Sequence, residues 1–233
     1  MVFERYETRV KAGENISDFI KAKDIELFNY IKENRENNIC YAVPNGGVPV
    51  TEGFCSCFNI KYDLLIVRKI KIPWNTEAGF GSITTDGTVL INESLFTSLN
   101  LSEQDLKRAI QITKAEIQER LKLYDKNTNF EKNYKDKIQG KHIFMMDDGL
   151  ASGFTMLAAI KMIKKYNPKK LFVAVPTAPL HTTQRIQPEI DNIYCPNIRD
   201  VWRFAVADAY QNWYDVAESE VLDILKNSKF YVR

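Results

Sequence analysis

The chain has 233 residues, 45% of them hydrophobic and 12% aromatic, enough for one large domain or one domain with an appendage. Lys plus Arg number 32 against 30 Asp plus Glu, and the net charge of +2 leaves no electrostatic footprint for duplex nucleic acid or an anionic membrane. Any anion site must therefore be local. No apolar stretch approaches the roughly 20 residues of a membrane span, and the acidic, broken N-terminal segment does not read as a signal peptide. Cys40, Cys55, Cys57 and Cys195 form no CxxC pair, and two histidines complete no zinc set. They read as reduced, mostly buried thiols of a cytoplasmic protein.

Along the chain, Ile16, Phe19, Ile20, Ile25, Leu27, Phe28 and Ile31 recur mostly at three to four residues and predict a helix over residues 15–34. Residues 39–44 read as a buried strand, Asn45-Gly46-Gly47 as a turn and 48–58 as a helix. A second strand is expected over 61–70. Residues 71–82 are polar, contain glycine and lack periodicity, so they read as a mobile loop. A hairpin is expected over 83–92, and a long helix over 102–125 with a capping-box start at Ser102. The second half alternates more plainly, with strands over 142–146, 171–176 and 190–195 and helices over 154–166 and 179–188. Residues 200–233 read as mostly helical and aromatic-rich. This alternation predicts an α/β fold, doubly wound, with a mainly parallel sheet. The expected organisation is an N-terminal helical arm (1–38), a core (39–199) and a C-terminal hood (200–233). Ligands of such sheets sit at the carboxyl ends of the strands, which points to the loops over 44–48, 68–82 and 147–155.

The densest chemistry is in Asp147-Asp148-Gly149-Leu150-Ala151-Ser152-Gly153-Phe154-Thr155. A strand ends in two acids, small residues follow, and a helix opens. Free N–H groups at a helix start suit phosphate, and Ala151, Ser152 and Gly153 allow close approach. Ser152 and Thr155 add hydroxyl donors. Two carboxylates would repel a phosphate unless something separates them. A sugar does so, its hydroxyls donating to Asp147 and Asp148 while its phosphate sits in the loop. The residues ask for a ribose 5-phosphate.

This segment resembles the PRPP-binding motif of type I phosphoribosyltransferases, PRPP being phosphoribosyl pyrophosphate. The match runs through Asp147, Asp148 and Ala151–Thr155, with Phe154 where a small residue is common. Val43-Pro44-Asn45-Gly46-Gly47-Val48 resembles the family's first loop, which holds pyrophosphate through backbone N–H groups and often contains a strained or cis peptide. Stand-alone members of unassigned substrate carry an arginine at the position of Asn45. Arg68-Lys69, followed by Pro73, Asn75, Glu77, Gly79 and Gly81, resembles the same branch and would face pyrophosphate. Trp202 and Phe204, with Trp213 and Tyr214, resemble its C-terminal hood, where the acceptor base stacks.

The resemblance implies a phosphoribosyltransferase that moves the 5-phosphoribosyl group of PRPP to a nitrogen acceptor, a nucleobase by analogy, and releases pyrophosphate. Asp147 and Asp148 carry the catalytic role. Asn45, Gly46, Gly47, Arg68, Lys69, Ala151, Ser152, Gly153, Phe154, Thr155, Trp202 and Phe204 bind substrate. Mg²⁺ is expected to be held mainly by ligand and water, with no residue of the chain as a dedicated metal ligand. The implied partners are PRPP and a small-molecule acceptor in a homodimer, without nucleic acid or membrane. Ala151 stands where hypoxanthine–guanine enzymes carry a proton-exchanging acid. A non-catalytic sensor of PRPP or a nucleotide is the alternative, favoured by the missing arginine at Asn45. No local basic neighbour pairs with either acid.

Overall fold

The computed structural model describes residues 4–126 and 130–232. The helix expected over 15–34 is two helices, α1 (Arg9–Lys23) and α2 (Ile25–Glu33). Asp24 is the reason. Its own N–H bonds to Ile20 while its carboxylate accepts from the Leu27 N–H at 3.0 Å, so one residue ends α1 and caps α2. Next come β1 (Asn38–Ala42), α3 (Gly47–Phe58) and β2 (Lys61–Leu64).

The strand expected over 61–70 divides at Leu65-Ile66. Its second part is β3 (Val67–Ile72), which leaves the main sheet and pairs antiparallel with β4 (Asn75–Thr84). Residues 71–82, expected as a loop, are therefore mostly strand. Register shifts around Lys71 and the glycines break the alternation that would have marked it. The expected hairpin is present, with β5 (Val89–Ile91) closing this three-stranded flap. After α4 (Glu93–Ser98), helix α5 (Glu103–Leu123) starts at the expected cap, Ser102 and Asp105 bonding reciprocally.

The remainder is α6 (Phe130–Ile138), β6 (His142–Met146), α7 (Phe154–Lys164), β7 (Lys170–Ala174), β8 (Thr177–Pro179), α8 (Leu180–Ile186), β9 (Asn192–Tyr194), β10 (Asn197–Arg199) and α9 (Glu218–Asn227). The C-terminal segment is not mostly helical. Among its described residues, a short 3₁₀ turn (Val206–Ala209) and α9 are the helical pieces in an otherwise irregular path. Its aromatics lack helical spacing, and the backbone is instead pinned beside the N-terminus. Tyr6 N–H donates to Ala209 O and Gln211 N–H to Tyr6 O, each at 2.8 Å.

The main sheet has the order β2-β1-β6-β7-β9 and is entirely parallel. Both faces are covered, as a parallel sheet requires. Tyr41, Ile143, Met145 and Val173 pack with α7 on one side, while Ala42, Phe144, Met146 and Phe172 pack with α1, α2 and α3 on the other. Helix α1 lies very close to α3. A Cβ on Gly13 would stand 2.0 Å from Val50 O, and one on Gly53 2.1 Å from Val10 O. That approach fixes the start of α1 over the carboxyl end of the sheet. Cys40, Cys55 and Cys195 are buried and Cys57 is exposed, all as free thiols.

Candidate functional site

From β1 the chain passes outward to β2, and from β6 it passes outward the other way to β7 and β9. The winding reverses between β1 and β6, and a crevice opens at such a point. Ala42 is in register with Met146, so the loops after the two strands leave the sheet side by side.

The first loop contains a cis peptide between Pro44 and Asn45. It ends at Gly46, which starts α3 without a side-chain cap. A Cβ on Gly46 would stand 1.9 Å from Asp148 Oδ2, and one on Gly47 2.9 Å from Met146 O. Only glycine lets this loop lie against the acids.

The second loop starts with the acids. Asp147 Oδ1 accepts from the Asp148 N–H at 2.8 Å. Asp148 Oδ2 accepts from Arg9 Nε at 2.9 Å, and the Tyr210 hydroxyl donates to Asp148 O at 2.7 Å. Helix α8 braces the next residues through their carbonyls. Thr182 Oγ1 donates to Ala151 O at 2.7 Å and Arg185 Nη1 to Ser152 O at 3.0 Å. Arg185 also lies 5.7 Å from the Phe154 ring centroid. Gly153, with φ of 75°, precedes α7, which also opens without a side-chain cap. Two uncapped helix starts thus flank one carboxylate pair.

A cavity of about 560 Å³ lies beside them, lined in part by Pro44, Arg68, Lys69, Arg120, Asp147 and Thr155. Ala151 and Ser152 are exposed at the loop, and Gly153 is buried. A larger cavity of about 840 Å³ lies between the β4–β5 turn, α5 and the end of α7, but neither the paired acids nor either glycine loop lines it.

Burial and the adjacent Asp148 charge push the Asp147 carboxyl well above the usual carboxylate range. Burial also raises Asp148, and Arg9 offsets part of that rise. Burial lowers the Arg68 guanidinium, and the charge of Arg120 lowers it further.

The sequence offers neither acid a local basic neighbour, and Asp148 instead takes a distant one, Arg9, 139 positions away. Its guanidinium is 4.3 Å from the Trp213 ring centroid and 5.2 Å from that of Tyr214, and Nη2 donates to Tyr214 O at 2.9 Å. Tyr210 lies on it at 5.4 Å. Trp202 is instead 99% exposed, and Phe204 is half-buried; neither is among the residues lining the cavity beside Asp147. Arg9 did leave a sequence signal, being a charge on the same helical face as Ala12, Gly13, Ile16 and Ile20. Arg120 left none, because Asn45 is 75 positions away. His142 is buried and stacked on Tyr30 at 4.3 Å, and His181 is exposed, so neither serves the site.

The family model for the phosphoribosyl transferase domain matches residues 12–209. The chain belongs to that family. Two Mycobacterium tuberculosis proteins provisionally named phosphoribosyl transferases are each 26% identical over 187 residues, which is 80% of this chain and 41% of theirs. The chain therefore spans about two-fifths of the length of these curated relatives. A Ureaplasma urealyticum uracil phosphoribosyltransferase is 35% identical over 69 residues, 28% of this chain and 33% of its own. Among solved structures, the Thermus thermophilus protein TT1426 superposes with a TM-score of 0.70 at 21% identity, covering 95% of this chain and 97% of its own. That likeness shows the fold. Both glycine loops and the flap of this phosphoribosyl transferase domain fall inside the family match, whereas Arg9, Tyr210, Trp213, Tyr214 and Glu218 fall outside it. Among the described residues, no helix is long and apolar enough to cross a membrane.

Proposed function

We propose that the chain transfers the 5-phosphoribosyl group of PRPP to a nitrogen acceptor, a nucleobase. The observation that carries this is the pair of uncapped helix starts flanking Asp147 and Asp148 where the strand order reverses. In this reading the two carboxylates accept from the ribose hydroxyls. The start of α7, with Ser152 and Thr155, holds the 5-phosphate. Asn45, Gly46 and Gly47 present the first loop to pyrophosphate, and Arg68 and Lys69 face it from the flap.

The C1–oxygen bond to pyrophosphate breaks as the C1–nitrogen bond forms with inversion, and the acceptor nitrogen's proton passes to the departing pyrophosphate or to solvent water. Positive charge develops on the ribosyl ring, where the carboxylates stabilise it. Among the described residues no group of three or more His, Cys, Asp or Glu side chains converges. The donor set fits an ion that takes most of its shell from ligand oxygens and water, and Asp147 would hold one such water. Mg²⁺, when bound, neutralises pyrophosphate and makes it a better leaving group.

Pyrophosphate release from Mg²⁺–PRPP across a panel of bases and small amines tests the reading. Release with one acceptor supports it, with hypoxanthine and guanine expected to fail because Ala151 can exchange no proton. Tight PRPP binding without release for any acceptor favours the second reading, a sensor, for which the missing loop arginine at Asn45 speaks. A cytoplasmic homodimer with an arm (1–38), core (39–199) and hood (200–233) completes the proposal. Sedimentation at micromolar concentration tests the dimer.

A further inference from the structure

We infer that Arg120 of α5 supplies a second guanidinium to face pyrophosphate, beside that of Arg68, and that Glu218 of the C-terminal segment holds it in reserve until an anion arrives. The inference rests on the PRPP reading above. The first loop brings no cation of its own, because Asn45 occupies its tip. In space the charge is nonetheless present. Arg120 Nη1 donates to Asn45 Oδ1 at 3.2 Å, and Arg120 lines the same cavity as Arg68, Lys69, Asp147 and Thr155. Asn45 also donates through Nδ2 to Val216 O at 2.8 Å, so the loop tip joins α5 to the hood.

The second nitrogen of Arg120 is engaged. Nη2 lies 2.5 Å from Glu218 Oε1, with Arg120 21% and Glu218 46% exposed. A pair this open to water contributes little net stability. A pyrophosphate carries more charge than one carboxylate and offers the planar guanidinium two oxygens at once. Releasing Glu218 costs little for a further reason. It lies in the first turn of α9, where the helix dipole favours a negative charge with or without Arg120. Arg68 lines the same cavity, its guanidinium lowered by burial first and by the Arg120 charge second, with Glu116 and Glu218 offsetting part of this, so an anion between the two guanidiniums would add to that compensation. Glu218 is thus a stand-in ligand, and its release couples anion binding to the hood.

Titration calorimetry on the full chain tests this, with Mg²⁺–pyrophosphate, Mg²⁺–PRPP and ribose 5-phosphate as probes. Arg120→Gln is expected to weaken pyrophosphate and PRPP roughly tenfold to a hundredfold and leave ribose 5-phosphate unchanged. Arg120→Lys falls between, since it keeps the charge and loses the fork. Glu218→Gln is expected to tighten pyrophosphate roughly twofold to fivefold by freeing Arg120. Such tightening cannot come from a damaged fold. Unchanged pyrophosphate affinity in Arg120→Gln, or equal or weaker affinity in Glu218→Gln, overturns the inference while ribose 5-phosphate binding preserves the wider reading. A wild-type chain that binds neither PRPP nor ribose 5-phosphate overturns both.

Discussion

Arg9 reaches Asp148 across 139 positions of sequence, Nε to Oδ2 at 2.9 Å. The two side chains are 5% and 16% exposed, so the pair is largely withdrawn from water. The rings of Tyr210, Trp213 and Tyr214 in the C-terminal segment enclose the guanidinium, and its Nη2 donates to Tyr214 O. The start of α1, the acid pair and the C-terminal segment therefore meet at one cation.

Removing that cation leaves Asp148 buried beside Asp147 without a counter-charge. Arg9→Met is expected to lower stability by about 3–5 kcal/mol, the usual effect of breaking a buried pair from one side. Arg9→Lys should recover part of the charge and little of the stacking. Urea unfolding of the three proteins measures this, and a loss below about 1 kcal/mol for Arg9→Met would place the pair among weak surface contacts.

The two acids should respond differently to amide substitution. Asp147→Asn and Asp148→Asn are each expected to weaken PRPP roughly tenfold to a hundredfold, one charged hydrogen bond being worth about 1.5–3 kcal/mol. Their melting temperatures should diverge. Asp147→Asn relieves repulsion and should hold or rise, whereas Asp148→Asn leaves Arg9 unpaired and should fall. Calorimetric titration beside a melting curve separates the effects, and unchanged affinity in both variants would remove these carboxylates from the site.

The raised Asp147 carboxyl gives a sign for pH. Above its ordinary value of 3.8 the unfolded chain has lost this proton while the folded chain still holds it. The folded state then binds more protons, so stability falls as pH rises from 3.8 to the higher folded value and levels beyond it. His142, lowered by burial, contributes the opposite slope below its ordinary 6.5. The informative quantity is therefore the difference between wild type and Asp147→Asn. That difference should widen in the variant's favour with rising pH, as read by urea midpoints, and a constant difference would contradict the buried, charge-crowded Asp147.

Gly46→Ala puts a methyl group where Asp148 Oδ2 now lies, 1.9 Å from the ideal Cβ position. Because Asp148 is bound to Arg9, it cannot simply swing aside. PRPP affinity and turnover should drop by at least roughly tenfold, with far-ultraviolet circular dichroism retained. Full activity in Gly46→Ala would mean the loop and the acids separate readily in solution.

The strand–loop–helix segments around Asn45 and Asp147 were legible because their chemistry is local. Each needs a strand, a run of small residues and a helix start, and all three lie within a dozen residues of one another. The parallel sheet followed from the same alternation. By itself the sequence thus determined the fold class and the position of the adjacent acids and of the two glycine-containing loops between strand and helix. The reversal between β1 and β6 needed strand order, which no single segment encodes. The flap was hidden by the register shifts around Lys71, and the path of the C-terminal segment by backbone pairing with Tyr6 in place of helical spacing. Arg68 and Lys69 were legible beside the first loop, but only tertiary structure showed what Arg9 and Arg120 pair with. Arg9 and Arg120 reach Asp148 and Asn45 over 139 and 75 positions, because a long guanidinium can cross between elements that only packing brings together.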